Sequence, residues 1–268
     1  MSAALQPATF AGIVELFHRI SGIRLAASKQ ALVYGRLQRL ALEAGEPSVQ
    51  RYAERILKGL VSKEELVRVV DRLTTNETYF FREPKHFEDL QRRAKQADGE
   101  GFRVWSAASS SGEEAYSICM VLADTLGLQA DWQVWGTDLS TAMVQAARQG
   151  LYPLDRAENI DPERLRRYCR RGQGPYDGQL LVAAELRKRT HFQSANLMER
   201  LPENLPLFDV IFLRNVLIYF DTEAKKQIVR SVLQRLKPDG VLYSGHAESL
   251  GGLELPIRTL QPAIYAHG

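Results

Sequence analysis

The segment Phe208-Asp209-Val210-Ile211-Phe212-Leu213-Arg214-Asn215-Val216-Leu217-Ile218-Tyr219-Phe220 decides the fold of this chain. Its first five residues form a mostly apolar run that is typical of a buried strand, and polar side chains follow directly where that strand ends. In open α/β sheets, ligands bind in the crevice outside the carboxyl ends of the strands. We therefore predict that Arg214, Asn215 and Tyr219 lie at a binding site.

A second strand shows the same arrangement. The run from Trp132 to Thr137 ends in Asp138. A carboxylate at such a strand end accepts hydrogen bonds from the hydroxyls of a bound ribose. Two strand ends thus point at one ligand of nucleoside size.

The surrounding pattern, from about residue 101 onward, alternates strands with helices. This alternation predicts an α/β fold with a doubly wound, mostly parallel sheet and right-handed crossovers. The predicted elements are a strand at Arg103–Ala107, a strand ending at Asp138, a helix capped by Ser140 and ended by Gly150, a helix at Thr222–Leu236, a turn at Pro238-Asp239-Gly240, a strand at Val241–Ser244 and a hairpin within 254–266.

The first 75 residues read as helices instead. Apolar residues recur at helical spacing from Ile13 to Ile20, and Ser62 with Glu65 forms the S-x-x-E pattern that caps a helix. We predict an all-α domain at 1–75, a linker segment at 76–100 and an α/β domain at 101–268.

An insertion interrupts the α/β rhythm at about 152–190. It holds a basic helix, the loop Arg171-Gly172-Gln173-Gly174-Pro175 and a short strand pattern at Leu180–Ala183. The plainest interpretation is a loop that carries a small antiparallel sheet. The residues alone do not indicate a docking role for it.

The charge of +3 is mild but unevenly spread. Residues 1–75 hold eleven Lys and Arg against seven Asp and Glu, a net charge of +4, so the rest of the chain carries a net charge of −1. A solvated surface is the ordinary explanation, yet such a surface also suits an acidic macromolecular partner. The charge is too weak to favour nucleic acid. The basic residues concerned are Arg36, Arg39, Arg51, Arg55 and Lys58.

Several classes of protein are disfavoured by absent patterns in the sequence. Met1–Phe10 has no basic start followed by an apolar stretch, and no run approaches the roughly 18 apolar residues of a membrane helix, so we expect a cytoplasmic protein without membrane insertion. Cys119 and Cys169 form no C-x-x-C pair, and the histidines show no metal-ligand spacing. We therefore expect no bound metal.

The loop Ser106-Ala107-Ala108-Ser109-Ser110-Ser111-Gly112-Glu113-Glu114 joins the first predicted strand to its helix. Dinucleotide sites need several glycines so that the backbone can approach a pyrophosphate, whereas this loop has one. S-adenosylmethionine carries no phosphate. Its site needs small residues beside the strand, an acid for the ribose and a group for the ammonium, and Ala107, Asp138 and Glu113 suit these roles. Alternatively, Glu113 only complements the helix dipole.

Two further segments carry candidate residues. In Leu73–Glu83, the aromatic residues Tyr79, Phe80 and Phe81 are equally explained as core between domains, but Arg82 is suited to hold a carboxylate in a bidentate fork. In Ser194-Ala195-Asn196-Leu197, a backbone and amide edge suits an adenine, and a plain turn explains it equally well.

Taken together, these motifs closely resemble the chemotaxis receptor methyltransferases of the CheR family over nearly the whole chain. Ala115 stands where the family often has proline, and Ser109 where cysteine is frequent. The resemblance implies a Rossmann-like methyltransferase domain that depends on S-adenosylmethionine, with a small antiparallel β-subdomain insertion and an all-α N-terminal domain. The matching motifs are Leu-Thr-Thr-Asn-x-Thr-x-Phe-Phe-Arg-Glu, Trp-Ser-Ala-Ala-x-Ser-x-Gly-Glu-Glu-x-Tyr-Ser-Ile, Arg-Asn-Val-x-Ile-Tyr-Phe, Leu-Lys-Pro-Asp-Gly and Gly-His-x-Glu-Ser.

The resemblance also implies a reaction and the residues that perform it. The methyl group passes from S-adenosylmethionine to glutamate carboxylates of chemoreceptors, which leaves S-adenosylhomocysteine and methyl esters. Arg82 and Tyr219 would flank the transferred methyl group, and the β-subdomain would bind a C-terminal receptor peptide. The implied cofactor contacts are Asn76, Thr78, Arg82, Glu113 (amino group), Asp138 (ribose), Asn196, Leu197, Leu213, Arg214 and Asn215.

Two other functions compete with this interpretation. A nucleic-acid methyltransferase would share the cofactor half, but the chain has no Asn-Pro-Pro-Tyr or Pro-Cys element. A cofactor-holding adaptor without catalysis would have no use for Arg82 and Tyr219.

Overall fold

The computed structural model describes residues 5–97 and 101–268. Its contacts divide the chain into two compact units, Met1–Thr75 with Tyr219–Ala224 (unit 1), and Asn76–Ile218 with Lys225–Gly268 (unit 2). The predicted segments at 1–75 and 76–100 each extend over a few residues outside the described ranges. Tyr219 belongs to unit 1, although its sequence neighbours at the end of the predicted strand belong to unit 2.

Unit 1 is helical. The predicted S-x-x-E cap forms, since the Ser62 hydroxyl accepts a hydrogen bond from the Glu65 amide at 3.1 Å. The apolar stripes of the helices bury Ile13, Phe17 and Leu37 almost completely, and this burial holds the unit together. Its helices are α1 (Pro7–Ser21), α2 (Gln30–Glu43), α3 (Val49–Leu57) and α4 (Lys63–Leu73).

Unit 2 is built on a seven-stranded sheet in the order β6-β2-β1-β7-β8-β10-β9. The five strands from β6 to β8 pair in parallel, whereas β10 and β9 pair antiparallel. Counted along the chain, this order is 3-2-1-4-5-7-6, which reverses between β1 and β7 as in Rossmann-like folds. The strands are β1 (Phe102–Ser106), β2 (Trp132–Asp138), β6 (Thr190–Ser194), β7 (Phe208–Leu213), β8 (Leu236–Ser244), β9 (Ile257–Gln261) and β10 (Ile264–His267).

Helices cover this sheet, and the α/β alternation predicted from the sequence is confirmed. The helix α6 buries every residue from Ala115 to Ala123 because it packs against strands of the sheet and against other helices. The helices of unit 2 are α5 (Pro84–Lys95), α6 (Glu113–Leu126), α7 (Thr141–Gln149), α8 (Pro162–Tyr168) and α9 (Ala184–Arg187), and α10 (Thr222–Leu233) begins in unit 1.

The predicted insertion is confirmed as a small antiparallel sheet between α7 and β6. Its strands are β3 (Leu151–Pro153), β4 (Cys169–Arg171) and β5 (Gln179–Val182), in the order β3-β5-β4. Both outer strands are therefore edges of this sheet. In the described part of the chain, no helix is long and apolar enough to cross a membrane.

The region after α10 differs from the prediction. The helix ends at Leu233, and Leu236–Ser244 forms one strand rather than a turn followed by a strand. Phe208 pairs with Leu236 but Val210 pairs with Val241, so three extra residues bulge out of β8. Pro238 lies in this bulge, where its missing N–H removes no ladder hydrogen bond. Leu236 fits the helical stripe and the strand alike, which misled the prediction.

Candidate active site

The loop that follows β1 is bonded to the ends of β2 and β7 at the carboxyl edge of the sheet. The Ala107 amide donates to the Phe212 carbonyl at 2.8 Å, and the Ser109 amide donates to the Thr137 carbonyl at 2.9 Å. The strand order reverses between β1 and β7, so this edge is the switch point where α/β sheets bind ligands. The two strand ends singled out from the sequence do meet in one place.

Asp138, the predicted ribose ligand, shapes the loop after β1. One carboxylate oxygen accepts a hydrogen bond from the Ser110 amide at 2.8 Å, and the other accepts from the Ser140 amide at 2.9 Å. Ser110 has a φ of 47°, a left-handed backbone that serine adopts only with support. Asp138 thus holds the loop in the shape that a ligand would meet.

Glu113 is the first residue of α6 and its side chain is only 1 % exposed. The carboxylate accepts hydrogen bonds from the Ser111 hydroxyl at 2.7 Å and from Arg156 at 3.2 Å. Burial raises the pKa of this carboxyl despite both partners. The position before α6 needs a glycine, since Gly112 has a φ of 97° and a Cβ there would lie 2.9 Å from the Cβ of Ala147.

Arg156 was not found by the sequence analysis. It lies in a short 3₁₀ helix of the insertion, and its Nη1 donates both to Glu113 and to the Thr78 carbonyl, the latter at 2.7 Å. Nearby, the Ser110 hydroxyl donates to the Asn76 carbonyl at 3.1 Å. These bonds hold the segment with the predicted contacts Asn76 and Thr78 against the loop after β1. No motif marks Arg156, because its partners are distant in sequence.

Arg214 is buried, with 1 % of its side chain exposed, and all three of its nitrogens have protein partners. Its Nε donates to the Glu114 carboxylate at 2.8 Å, its Nη1 to His86 Nδ1 at 2.8 Å and its Nη2 to the Arg82 carbonyl at 2.6 Å. The sequence placed Arg214 at the surface of a crevice. In the structure, the Arg214 side chain instead points inward and supports the segment that contains Arg82.

Arg82 lies on a constrained turn. Its neighbours Phe81 and Glu83 have φ angles of 55° and 59°, both left-handed and both uncommon for residues with a side chain. The Phe81 amide donates to the Ser117 hydroxyl at 3.0 Å, and Arg214 holds the Arg82 carbonyl. The Arg82 guanidinium donates to the Glu77 carbonyl at 3.1 Å. The turn is thus fixed at the backbone, and the side chain is half-buried.

Glu83 completes the buried charges. Its carboxylate accepts hydrogen bonds from the Asn215 side chain at 3.2 Å and from the His246 amide at 3.4 Å, and it lies 3.5 Å from Arg214 Nη1. Burial opposes ionisation, but Arg214 and these donors keep the pKa of Glu83 below its usual value. Asn215 itself has a φ of 56°, and its main-chain N–H donates a hydrogen bond to the Glu248 carboxylate at 2.6 Å.

Glu83, His86 and His246 bring three potential metal-ligand atoms within 4.8 Å of one another. The Nδ1 lone pair of His86 already accepts a hydrogen bond from Arg214. A dication would have to displace a buried guanidinium that supplies the positive charge there. We therefore do not assign a metal to this cluster.

His86 gives the fold a pH dependence. Burial, then the charge of Arg214, lowers the pKa of His86 from 6.5 to about 4, so the ring stays neutral in the fold while the unfolded chain takes up a proton below 6.5. Stability from this residue is complete above pH 6.5 and falls as pH drops toward 4. We expect a loss of about 2 kcal/mol between pH 7 and pH 5.

Urea unfolding followed by tryptophan fluorescence measures this loss. The three tryptophans, Trp105, Trp132 and Trp135, all lie in unit 2. The variant His86→Gln keeps an acceptor for Arg214 and should lose this component of the pH dependence. An identical pH dependence in both proteins would contradict the assignment.

The remaining predicted residues lie in a turn, in the core and in unit 1. After β6, the Asn196 side-chain oxygen accepts from the Met198 amide at 3.0 Å and its amide donates to Glu199 at 3.0 Å, which is the local bonding of a turn. Leu197 and Leu213 are buried. Tyr219 belongs to unit 1, where its carbonyl accepts from the Arg24 amide at 3.0 Å.

The combination of residues at this site identifies a class of protein. An acid ends β2, a buried acid starts the helix after β1, and a loop with one glycine and several small residues lies between them. This chemistry fits adenosine with a cationic amino-acid tail and lacks the glycines that a pyrophosphate needs. Such a site on a Rossmann-like sheet defines a methyltransferase that depends on S-adenosylmethionine.

Comparison with known proteins specifies the family. Residues 76–265 match the family described as "CheR methyltransferase, SAM binding domain", and residues 8–74 match "CheR methyltransferase, all-alpha domain". The chain therefore belongs to the CheR family of chemotaxis methyltransferases. The family predicted from the sequence motifs is confirmed.

Curated relatives agree over nearly the full chain. The "Chemotaxis protein methyltransferase" of Salmonella typhimurium is 40% identical over 265 residues, which cover 98% of this chain and 91% of that protein. The protein of the same name from Escherichia coli is 40% identical, with 98% and 92% covered. Among solved structures, the CMeT domain of the citrinin polyketide synthase is 17% identical with a TM-score of 0.42 and covers 87% of this chain and 48% of that chain.

Proposed function

We propose that this protein transfers the methyl group of S-adenosylmethionine to glutamate carboxylates in the methylation helices of chemotaxis receptors. The products are glutamate methyl esters and S-adenosylhomocysteine. The observation that carries the proposal is the fixed turn of Arg82, whose carbonyl accepts a hydrogen bond from Arg214 after β7 and whose segment is bonded to the loop after β1 through the Asn76 carbonyl. The family membership supports the same reaction.

The cofactor residues are proposed by place and chemistry. Glu113 faces the ammonium group and Asp138 the ribose, while Asn196 and Leu197 hold the adenine side. Leu213, Asn215 and the main chain of Arg214 line the switch point, since the Arg214 guanidinium is engaged elsewhere. Asn76, Thr78 and Arg82 reach the site from the linker segment, which we place at 76–100 between an all-α domain at 1–75 and the catalytic domain at 101–268.

The reaction needs no general base. A glutamate with an ordinary pKa of about 4.3 is already ionised near neutral pH, so the nucleophile arrives with its charge. The bound cofactor supplies an electrophilic methyl group on a sulfonium. The task of the protein is then alignment, and such positioning contributes up to about 7–11 kcal/mol in well-oriented systems. We assign Arg82 to the orientation of the incoming carboxylate, and we propose that Tyr219 also takes part in the transfer.

Methyl ester formation tests this proposal. The protein is incubated with membranes that contain a chemoreceptor and with S-adenosylmethionine labelled in the methyl group. Carboxyl methyl esters release labelled methanol in base, whereas N-methyl groups persist. Base-stable label, or no label on the receptor, contradicts the proposal.

The assignment of Glu113 predicts a pH-dependent affinity for the product S-adenosylhomocysteine. Only the ionised carboxylate attracts the ammonium group, and burial raises the pKa of Glu113. Affinity should therefore fall as pH drops through that raised pKa. Glu113→Gln should weaken binding at neutral pH by about tenfold or more and remove the slope. Calorimetric titration measures both effects, and the exposed Glu185→Gln serves as the control. A pH slope retained in Glu113→Gln sinks the assignment.

Unit 1 is the proposed docking surface for acidic receptor helices, but its basic residues are not equivalent. Arg36 donates to the Leu73 carbonyl at 2.6 Å, and Arg55 pairs with Glu46 and Glu65, so these two arginines stabilise the unit itself. Arg51 and Lys58 have exposed side chains. They are the better candidates for a partner.

Charge reversal tests this surface. Arg51→Glu should raise the Michaelis constant for the receptor by about twofold to fivefold, and more at low salt, because the interaction is electrostatic and exposed. Initial rates at two ionic strengths measure the effect. Lys188→Glu, on the exposed surface of unit 2, is the matched control. Equal changes in both variants would show that net charge alone matters.

The edge strands of the small sheet are the proposed site for a C-terminal receptor peptide. Among the described residues, β4 pairs with β5 alone, so its outer edge is available for strand addition. The adjoining turn is tight, since a Cβ on Gly172 would overlap the Tyr176 carbonyl. Titration with an aromatic-containing receptor peptide tests this site.

We propose no nucleic-acid partner and no membrane insertion, and we propose the cytoplasm as the location.

A further inference from the structure

The ion pair of Glu113 and Arg156 has the charges of an α-amino acid in reverse. Arg156 Nη1 lies 3.2 Å from a Glu113 carboxylate oxygen. An α-amino acid carries its ammonium and its carboxylate on one carbon, so the two protein groups that hold them must stand side by side. This pair satisfies that requirement.

Arg156 has the free donors that a carboxylate needs. Its Nη1 is occupied by Glu113 and by the Thr78 carbonyl. Within residues 5–97 and 101–268, its Nε and Nη2 have no hydrogen-bond partner, and 45 % of the side chain is exposed. The Nε and Nη2 groups form the planar edge of a guanidinium that binds carboxylates in a bidentate fork.

We propose that Arg156 binds the carboxylate of the methionine tail of S-adenosylmethionine while Glu113 binds its ammonium group. The proposal rests on the assignment of Glu113 made above. It gives the insertion, which the sequence marked only as a loop with a small sheet, a direct role in cofactor binding. It also leaves Arg82, which donates to Glu77, available for the carboxylate of the incoming glutamate.

Three ligands separate this role from a structural one. S-adenosylhomocysteine has the full tail, its decarboxylated analogue S-adenosyl-3-thiopropylamine has only the ammonium, and 5′-methylthioadenosine has neither. Calorimetric titration of the full chain with each ligand measures the affinities. The native protein should bind S-adenosylhomocysteine at least about tenfold more tightly than the decarboxylated analogue, as for one charge-assisted bidentate contact.

The variant Arg156→Met should lose about tenfold to a hundredfold in affinity for S-adenosylhomocysteine and little or nothing for the other two ligands. Its preference for a tail carboxylate should vanish. Arg156→Lys keeps the charge without the fork and should lie between the two proteins. Arg166→Met, an exposed arginine of the same insertion, is the control and should bind all three ligands as the native protein does.

Several outcomes overturn the proposal. Equal losses for all three ligands in Arg156→Met would mean that the arginine only supports the loop. An unchanged affinity for S-adenosylhomocysteine would remove Arg156 from the tail. Loss of the carboxylate preference in Arg82→Met rather than in Arg156→Met would place the tail carboxylate on Arg82. These readouts are independent of receptor methylation, so failure of the proposed reaction leaves them interpretable.

Discussion

Replacing Arg214 with alanine is expected to lower the free energy of unfolding of unit 2 by about 3–5 kcal/mol, the usual cost of removing one partner from a buried ion pair. The guanidinium is 1 % exposed and donates to Glu114, His86 and the Arg82 carbonyl. Its loss leaves the Glu114 carboxylate in the interior without its cation and the His86 nitrogen without its donor. Few single substitutions elsewhere in this unit should cost as much.

Urea unfolding followed by tryptophan fluorescence measures this effect, because all three tryptophans lie in unit 2. Arg200→Ala is the matched control, since Arg200 pairs with Glu203 but has 86 % of its side chain exposed, and surface pairs contribute little. A loss of less than 1 kcal/mol in Arg214→Ala, similar to the control, would falsify the supporting role that we give to Arg214. Arg214→Met should cost less than alanine, because it keeps some of the packing against Phe87 and Phe212.

Replacing Arg82 with alanine is expected to lower the rate of methyl transfer by about a hundredfold, the penalty for losing the alignment of a reacting group. Affinity for S-adenosylhomocysteine should change much less. The backbone of the turn is held by Ser117 and Arg214 rather than by the Arg82 side chain, so the fold should survive the substitution. The expected change therefore falls on kcat.

Radiolabelled methyl transfer to receptor, with calorimetry for the product, separates the two quantities. Lys85→Ala removes an exposed positive charge three residues away and is the control. Arg82→Lys keeps the charge but not the fork, and we expect it to recover only part of the rate. Turnover equal to that of the native protein in Arg82→Ala would remove this arginine from the mechanism.

The features that the sequence predicted well are those that depend on local pattern. Alternating strands and helices predicted the parallel sheet, and the acid that ends β2 was placed correctly because parallel strands share one carboxyl edge. The S-x-x-E cap at Ser62 was also predicted correctly, because both partners lie within one helical turn.

The features that the sequence missed depend on contacts between distant residues. Arg156 meets Glu113 and Thr78 across 43 and 78 residues, so no spacing rule marks it. The polar end of β7 suggested that Arg214 faces a ligand, but whether a side chain turns inward depends on Glu114 and His86, which no periodicity connects to it. The bulge in β8 depends on pairing with β7, which the pattern around Pro238 does not reveal.

The bond between the Glu83 carboxylate and the His246 amide spans 163 residues of chain. During synthesis by the ribosome, the residues that form the turn around Arg82 emerge long before His246. At about 5–20 residues per second, the delay is roughly 10–30 s. The turn around Arg82 therefore gains its bond to His246 only near the end of translation, and an incomplete chain released by the ribosome would lack that bond.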